Sequence, residues 1–308
     1  MPDDGHRREL GRAYAAWLYV CVAWGTTYLG IRIALETIPP LLMGGFRWIL
    51  AGAMLIAFFR ARGERLPDRR EWGSLALRGT LLLGLGNGGV TWAEQSVPSG
   101  LTAVLVAVLP FWMVGVDILV GGETLNTRRI AGLIIGFLGV VLLVWPELDA
   151  EVSRHAFLGG LVATQLACLG WAIGSVAARR RQRANGDPVP HSMLDPAFEM
   201  LFGGLFLLVL GTLLNEWRDL GVTPRTGGAL AYLVVFGSIG GFSAYRFALH
   251  HLSMATVSLY AYANTVIAVI LGTLVLGEPF DMRLALAAAV VLLGVALVRS
   301  GPDEAERA

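Results

Sequence analysis

Ten blocks of mostly apolar residues dominate this 308-residue chain, each close to the roughly 20 residues that carry an α-helix across a bilayer. They lie at 13–32, 39–59, 72–93, 99–120, 128–146, 157–178, 196–214, 228–248, 253–276 and 282–299. Inside lipid a backbone must satisfy its own polar groups, so apolar blocks of this length are helices rather than strands. The connections are short and leave no room for a separate soluble domain. With 55% hydrophobic and 15% charged residues the chain lies outside the soluble average. The expected fold is an all-α integral membrane protein of ten transmembrane helices.

The two halves are weak copies of each other. Cys21-Val22-Ala23-Trp24 recurs as Cys168-Leu169-Gly170-Trp171, and Phe46-Arg47-Trp48 recurs in position as Phe198-Glu199-Met200. Leu119-Val120-Gly121-Gly122-Glu123 recurs as Leu274-Val275-Leu276-Gly277-Glu278, and Gly139-Val140 as Gly294-Val295. Five crossings per copy make the second copy enter from the opposite face, giving two inverted five-helix repeats at 13–146 and 157–299. Inverted repeats of this kind build alternating-access transporters.

Charge placement sets the orientation. All 24 basic residues are Arg; sixteen fall on one side of the expected spans, five on the other and three inside them. The positive-inside rule then puts the tails 1–12 and 300–308 in the cytoplasm. No cleavable signal is expected, because 1–12 is polar and the first span exceeds a signal core. Without Lys the chain has no Walker A lysine, Schiff-base lysine or lysine base, and H-E-x-x-H, C-x-x-C and G-x-S-x-G are all missing. Neither cofactor nor metal is expected, nor a nucleic-acid partner. Cys21 and Cys168 fall inside spans, as small buried hydrophobes. Gly84-x-Gly86-x-x-Gly89 matches a dinucleotide fingerprint in form but follows no strand, so we read it as helix packing or a local break. Gly132-x-x-x-Gly136 and Gly170-x-x-x-Gly174 are packing faces, within the chain or against a second copy in a homodimer.

Polar groups within lipid need a partner, a wet cavity or a nearby interface. Arg47, about 10 Å into the second span, is expected either to form a structural pair or to act in gating or substrate binding. Glu199, at its repeat-equivalent position, reads as interfacial and, by inversion, is not expected to pair with it. Arg78 and Arg246 are expected to snorkel to the cytoplasmic face. Asp117, near a cytoplasmic helix end, is a weak proton-coupling candidate. Glu94 and Gln95 mark the outer end of the third span, as an external gate or a solvated rim. On the ninth span Ser253, Thr256, Tyr260 and Asn264 share one helix face, against Pro98, Leu101, Leu105 and Leu109 on the fourth. A cavity between them would take an amphiphilic ligand. Trp24 and Trp171 are candidate walls, Thr27 and Asn87 candidate polar contacts, and Pro110 a midplane kink that frees the Val106 carbonyl. The Arg179–Arg183 loop is expected to contact anionic lipids.

Trp24-Gly25-Thr26-Thr27-Tyr28, Pro39-Pro40 and Phe46-Arg47-Trp48 resemble the opening of an EamA domain. Glu94-Gln95-Ser96-Val97-Pro98-Ser99-Gly100, Leu109-Pro110 and Gly122-Glu123 resemble its later signature. The chain reads as two such domains, as in ten-helix members of the drug/metabolite transporter superfamily. The resemblance implies a bacterial inner-membrane carrier, not an enzyme, that exports an amino-acid-like metabolite or drug, with proton exchange as a means of coupling. It also implies a central cavity lined by spans 1, 3, 4, 6, 8 and 9. Where the second copy often carries Pro this chain has Thr265, so the midplane break is expected on one side only. Import or uncoupled facilitation is the rival direction, and a lipid-modifying membrane enzyme the rival class. His250-His251, adjacent on a helix, are a poor chelating pair for the latter.

Overall fold

The computed structural model describes residues 4–95, 97, 102, 105–122, 126–144, 154–184, 194–276 and 282–299. Pro98, Ser99, Leu101 and Glu123 lie outside them, so the upper half of the apolar stripe on the fourth span is not described. Helices α1 (Asp4–Ala34) and α2 (Pro40–Ala61) are followed by α3, the continuous run 72–93. Next come α4 (Leu109–Leu119), α5 (Thr127–Val144), α6 (Arg154–Ala184) and α7 (Leu194–Leu213). The chain continues through α8 (Pro224–His251), α9 (254–276) and α10 (Met282–Arg299). No strand occurs among the described residues. Among them, α2, Leu158–Arg181 of α6, α7 and α8 are long and apolar enough to cross a membrane. Helix α1 begins well before residue 13, and the Arg179–Arg183 stretch is the last turns of α6 rather than a loop.

The helix starts are built locally. Pro40 occupies the first turn of α2, where its missing N–H is no loss. The free N–H groups of Leu41 and Leu42 go instead to Glu216 Oε2, at 3.0 and 2.9 Å. A carboxylate from the far half of the sequence therefore caps α2, favoured by the helix dipole. Thr223 and Thr226 form a reciprocal capping box at the start of α8, and Ser253 caps α9 by accepting from the Thr256 N–H.

Helix pairing respects the repeat. Helix α1 packs on α8 and α9, while α6 packs on α3 and α4; α2 pairs with α7 and α5 with α10. Exchanging the first five helices for the last five maps these pairings onto themselves. The local irregularities match as well: π-helical turns at Thr80–Asn87 in α3 and Leu233–Gly240 in α8. Such turns are frequent at functional sites. Fourth and ninth spans are both interrupted, at residues 107–108 before Pro110 and at Leu259. The break is thus not confined to the copy that has the proline. Val106's carbonyl receives the Cys168 thiol at 3.8 Å, and Thr265 instead bonds back to the Ala261 carbonyl within its own helix.

Small residues bring the paired helices to backbone contact. A Cβ on Gly204 of α7 would lie 2.7 Å from the Ile49 nitrogen of α2, and one on Gly294 of α10 would meet the backbone of Gly136 on α5. Both Gly-x-x-x-Gly faces are filled within the chain: Gly136 by Tyr262 and α10, Gly170 and Gly174 by Leu81, Leu82 and Leu85 of α3. They are therefore not available for a second copy. Because the obstacle at Gly294 is backbone, Gly294→Val is expected to destabilise by at least the usual 1–3 kcal/mol of overpacking, about that order or more. A thermal melt of the detergent-purified protein checks this; a melting temperature equal to the parent's would contradict the packing.

Candidate functional site

Helix α1 places Trp24, Thr27, Tyr28 and Ile31 on one face, at the i, i+3, i+4, i+7 spacing of a helix. This face forms one wall of a central cavity. Arg47 and Trp48 of α2, Gly86, Asn87 and Val90 of α3, and Val106 and Leu109 at the start of α4 complete the first half's share. The second half contributes Ala167, Cys168 and Trp171 from α6, and Tyr260 and Asn264 from α9. The wall is mainly aromatic. Trp24 meets Trp171 edge to face with centroids 5.3 Å apart, and meets Tyr260 at 5.0 Å. Tyr245 backs both tryptophans, receiving the Trp171 indole N–H at 3.0 Å and bonding Ser175 at 2.6 Å.

Arg47 is the cavity's cation, 1% exposed. Its Nε donates to Ser238 Oγ at 2.7 Å, and its guanidinium lies 4.6 Å from the Trp48 ring centroid. Gly237 makes room: a Cβ there would stand 2.8 Å from Thr27 and 2.9 Å from Arg47 Nη2. The same glycine's carbonyl accepts the Trp24 indole N–H at 2.8 Å. Arg47 Nη1 has no hydrogen-bond partner among the described residues. Beside the hydroxyl groups of Thr27, Tyr28 and Tyr260, two amides line the cavity. Asn87 Oδ1 accepts from Trp48 Nε1 at 3.1 Å. The Asn264 amide, oriented to satisfy its neighbours, donates to the carbonyls of Cys21 and Tyr260 at 2.8 and 3.0 Å.

The expected residues do not all meet here. Pro110 and Thr256 are buried but lie off the cavity lining; Thr256 bonds with Ser253 at the cap of α9. The polar face thus divides: its first two members are spent on a helix start, and Tyr260 and Asn264 face the cavity. Asp117 is buried at the end of α4, its carboxylate packed against Gly122. The cavity also recruits α2, which the resemblance leaves out, whereas α8 stands behind Arg47 and holds it. Tyr28, Ile31, Trp48 and Cys168 were not among the expected lining. Tyr28 and Ile31 were readable from the helical spacing started by Trp24, and Cys168 from its i, i+3 relation to Trp171. Trp48, next to Arg47, points to the cavity because the guanidinium lies against its ring.

Two charged assemblies flank the cavity along the helix axes. At the end where α1 begins, Arg78 Nε donates to Glu199 Oε1 at 2.6 Å, and Arg246 Nη1 lies 3.7 Å from Glu199 Oε2. Arg78 also approaches Asp195 at 3.9 Å and donates to Ser74 at 2.7 Å. All three central residues are buried, Glu199 completely. Glu199 is therefore enclosed by protein, and Arg78 and Arg246 do not snorkel: each turns inward because a buried carboxylate stands between them. Beside them Arg179 is buried and donates to the Leu252 carbonyl at 3.1 Å, and Arg181 pairs with Glu71. These two face protein rather than lipid, which leaves Arg180 exposed; the Arg183 side chain is outside the described residues.

At the opposite end a wide polar vestibule is lined by Arg32, Glu36, Glu94, Gln95, Glu216 and Asp219. Gln95 is exposed and forms its rim. Glu94 is fully buried. Glu216 is half sunk in this wall, and burial raises its carboxyl above the usual carboxylate value against the two N–H donors of α2. Ile31 lines the cavity and its neighbour Arg32 the vestibule, so the two spaces adjoin along α1. Among the described residues no group of His, Cys, Asp and Glu could hold a metal ion.

A helical membrane protein with a cavity between two halves, flanked by buried charge at one end and a polar mouth at the other, is built as a small-molecule carrier. The sequence model of the EamA-like transporter family matches residues 11–145 and again 158–300, and the chain belongs to that family. It is 37% identical over 299 residues to the Escherichia coli K12 protein named "Uncharacterized inner membrane transporter YedA", covering 96% of this chain and 92% of that one. It is 26% identical over 197 residues to a Salmonella typhimurium protein named "Probable amino-acid metabolite efflux pump", covering 62% of each. A solved structure titled "Crystal structure of protein" superposes with a TM-score of 0.74 at 20% identity, over 92% of this chain and 95% of that one, and shares the fold. The chain is a multi-pass membrane transporter and not an enzyme.

Proposed function

We propose that this chain is a secondary carrier that exports a small, amphiphilic, amino-acid-like solute from the bacterial cytoplasm by alternating access, driven by exchange for protons. In this reading ten spans form two inverted repeats, both termini are cytoplasmic, and the vestibule faces outward. The cluster of Arg78, Glu199 and Arg246 is the inner gate, closed in the conformation described. The observation that carries the proposal is the cavity itself: both halves build it, its walls are aromatic, and one guanidinium nitrogen inside it has no partner among the described residues. A buried cation with a free donor suits a carboxylate, and the tryptophan and tyrosine faces suit an apolar side chain. The printed name of the Salmonella relative is in line with this choice.

The test is efflux of labelled L-phenylalanine from liposomes holding the purified protein, with and without an imposed pH gradient. Accelerated efflux when the receiving side is acidic supports export by exchange; flux equal to that of empty liposomes rejects the substrate class. Within this cavity Tyr260→Ala and Asn264→Ala are each expected to slow phenylalanine flux by about tenfold or more, from lost ring contact and a lost α1–α9 tie, on the order of 1.4 kcal/mol each. Normal flux in both, with the proteins folded, would remove α9 from the site.

A further inference from the structure

Among the described residues nothing bonds the Glu94 carboxylate: both oxygens lack a hydrogen-bond partner. The residue follows the last helical turn of α3, is 0% exposed and lines the outer vestibule. Arg32 is close enough to help but spends its Nη1 on the Glu94 main-chain carbonyl, at 3.0 Å. Arg47 feels the carboxylate from the cavity side without forming an ion pair with it. Tyr28 of α1, which lines the cavity, stands on the same side. Toward the vestibule stand Glu36, Glu216 and Asp219, with Arg225 already paired to Glu36 at 3.0 Å. A carboxylate buried without a donor is expensive to keep charged. Glutamine would fill the same space without that expense. The position makes sense if something occupies it in turn.

We infer that Glu94 is a cation site shared in alternation by a proton and by the ammonium group of the transported solute. This rests on the carrier reading above and supplies its coupling step. The acid holds a proton drawn from the acidic vestibule. When a solute places its carboxylate on Arg47 and its ammonium on Glu94, the proton leaves to water as the ammonium arrives. One carboxylate cannot hold both, and mutual exclusion at a single site is what an exchanger needs. Glu94 lines the vestibule one helical turn beyond Val90, which lines the cavity, so it stands between the two spaces.

Two measurements on the full-length purified protein decide it. The first is potentiometric titration without solute: Glu94→Gln should take up one proton fewer than the parent as the pH falls from alkaline to acidic. The second is binding of two probes, L-phenylalanine and 3-phenylpropionate, followed by quenching of tryptophan fluorescence. In the parent, phenylalanine affinity should fall by about tenfold per pH unit once the site is protonated, because proton and ammonium compete. Phenylpropionate, lacking the ammonium, should show no such competition, and in Glu94→Gln phenylalanine should bind weakly at every pH. Equal proton uptake in parent and variant, or parent-like pH dependence in the variant, overturns the proposal, as does replacement of the proton effect by a sodium requirement. Should the glutamine variant fail to fold, Glu94→Asp should keep the proton count while shifting the midpoint of the phenylalanine pH profile; an unshifted midpoint overturns the assignment. If the parent does not bind phenylalanine at all, the substrate class is wrong, and the titration still decides whether Glu94 carries a proton.

Discussion

Replacing Glu199 with Ala is expected to lower the stability of this transporter by about 3–5 kcal/mol, the usual consequence of removing one member of a buried ion cluster. The carboxylate is completely buried and stands between two guanidinium groups that are 3% and 2% exposed. Among the described residues the remaining carboxylate at hand is Asp195, 3.9 Å from Arg78, and its side chain is 38% exposed. Without Glu199 two cations face each other in a weakly polarisable interior, and their repulsion and desolvation are no longer offset. The measurement is a thermal melt in detergent, and a loss below about 1 kcal/mol would mean that the cluster is already hydrated. Adding Arg78→Leu and Arg246→Leu to the same protein should recover much of the loss, since apolar groups of similar size often replace a buried ion network without penalty. If the cluster is also the inner gate, that triple variant should be stable yet leaky, or locked, in transport.

This cluster also shows where the sequence stops being readable. Its three members come from α3, α7 and α8, and no spacing along the chain announces that they converge. Arg78 and Arg246, each within a few residues of a helix end, satisfy every local condition for snorkelling. Their inward turn follows from close contact of α3 with α7, where a Cβ on Gly79 would collide with the Glu199 carbonyl. By contrast, the cavity wall on α1 was legible because Trp24, Thr27 and Tyr28 share one face of a single helix. The division of the α9 polar face falls between these cases. Four residues at helical spacing were visible, but Ser253 precedes the helix proper and caps it, so its alignment with Tyr260 and Asn264 has no bearing on the cavity. Apolar length revealed the helices because lipid imposes it; the ion cluster and the capping of α2 by Glu216 are tertiary and left no periodic trace.

Arg47→Ala should separate function from stability in the opposite sense. Arg47 is as buried as Glu199, but among the described residues no carboxylate lies within ion-pair distance of it; its contacts are Ser238 and the Trp48 ring. Removing an uncompensated buried charge relieves desolvation, which offsets the hydrogen bond and packing that are lost. The melting temperature is therefore expected to stay near the parent's or to rise. Transport should not survive. On the proposed function, a solute carboxylate held by Arg47 in a dry aromatic cavity loses about 2–5 kcal/mol when the guanidinium is removed, roughly 30-fold to several thousand-fold in affinity. Arg47→Lys keeps the charge but not the planar fork that reaches Ser238, stacks on Trp48 and still presents Nη1, so it should recover only part of the activity. Labelled phenylalanine flux and a thermal melt on the same preparations give both readings. Flux within twofold of the parent in Arg47→Ala would show that the free guanidinium nitrogen serves some purpose other than holding the solute. A collapse of stability with no independent effect on binding would make Arg47 a structural residue like Glu199, and the anchor for the carboxylate would have to be sought among Asn87, Asn264 and the π-helical turns.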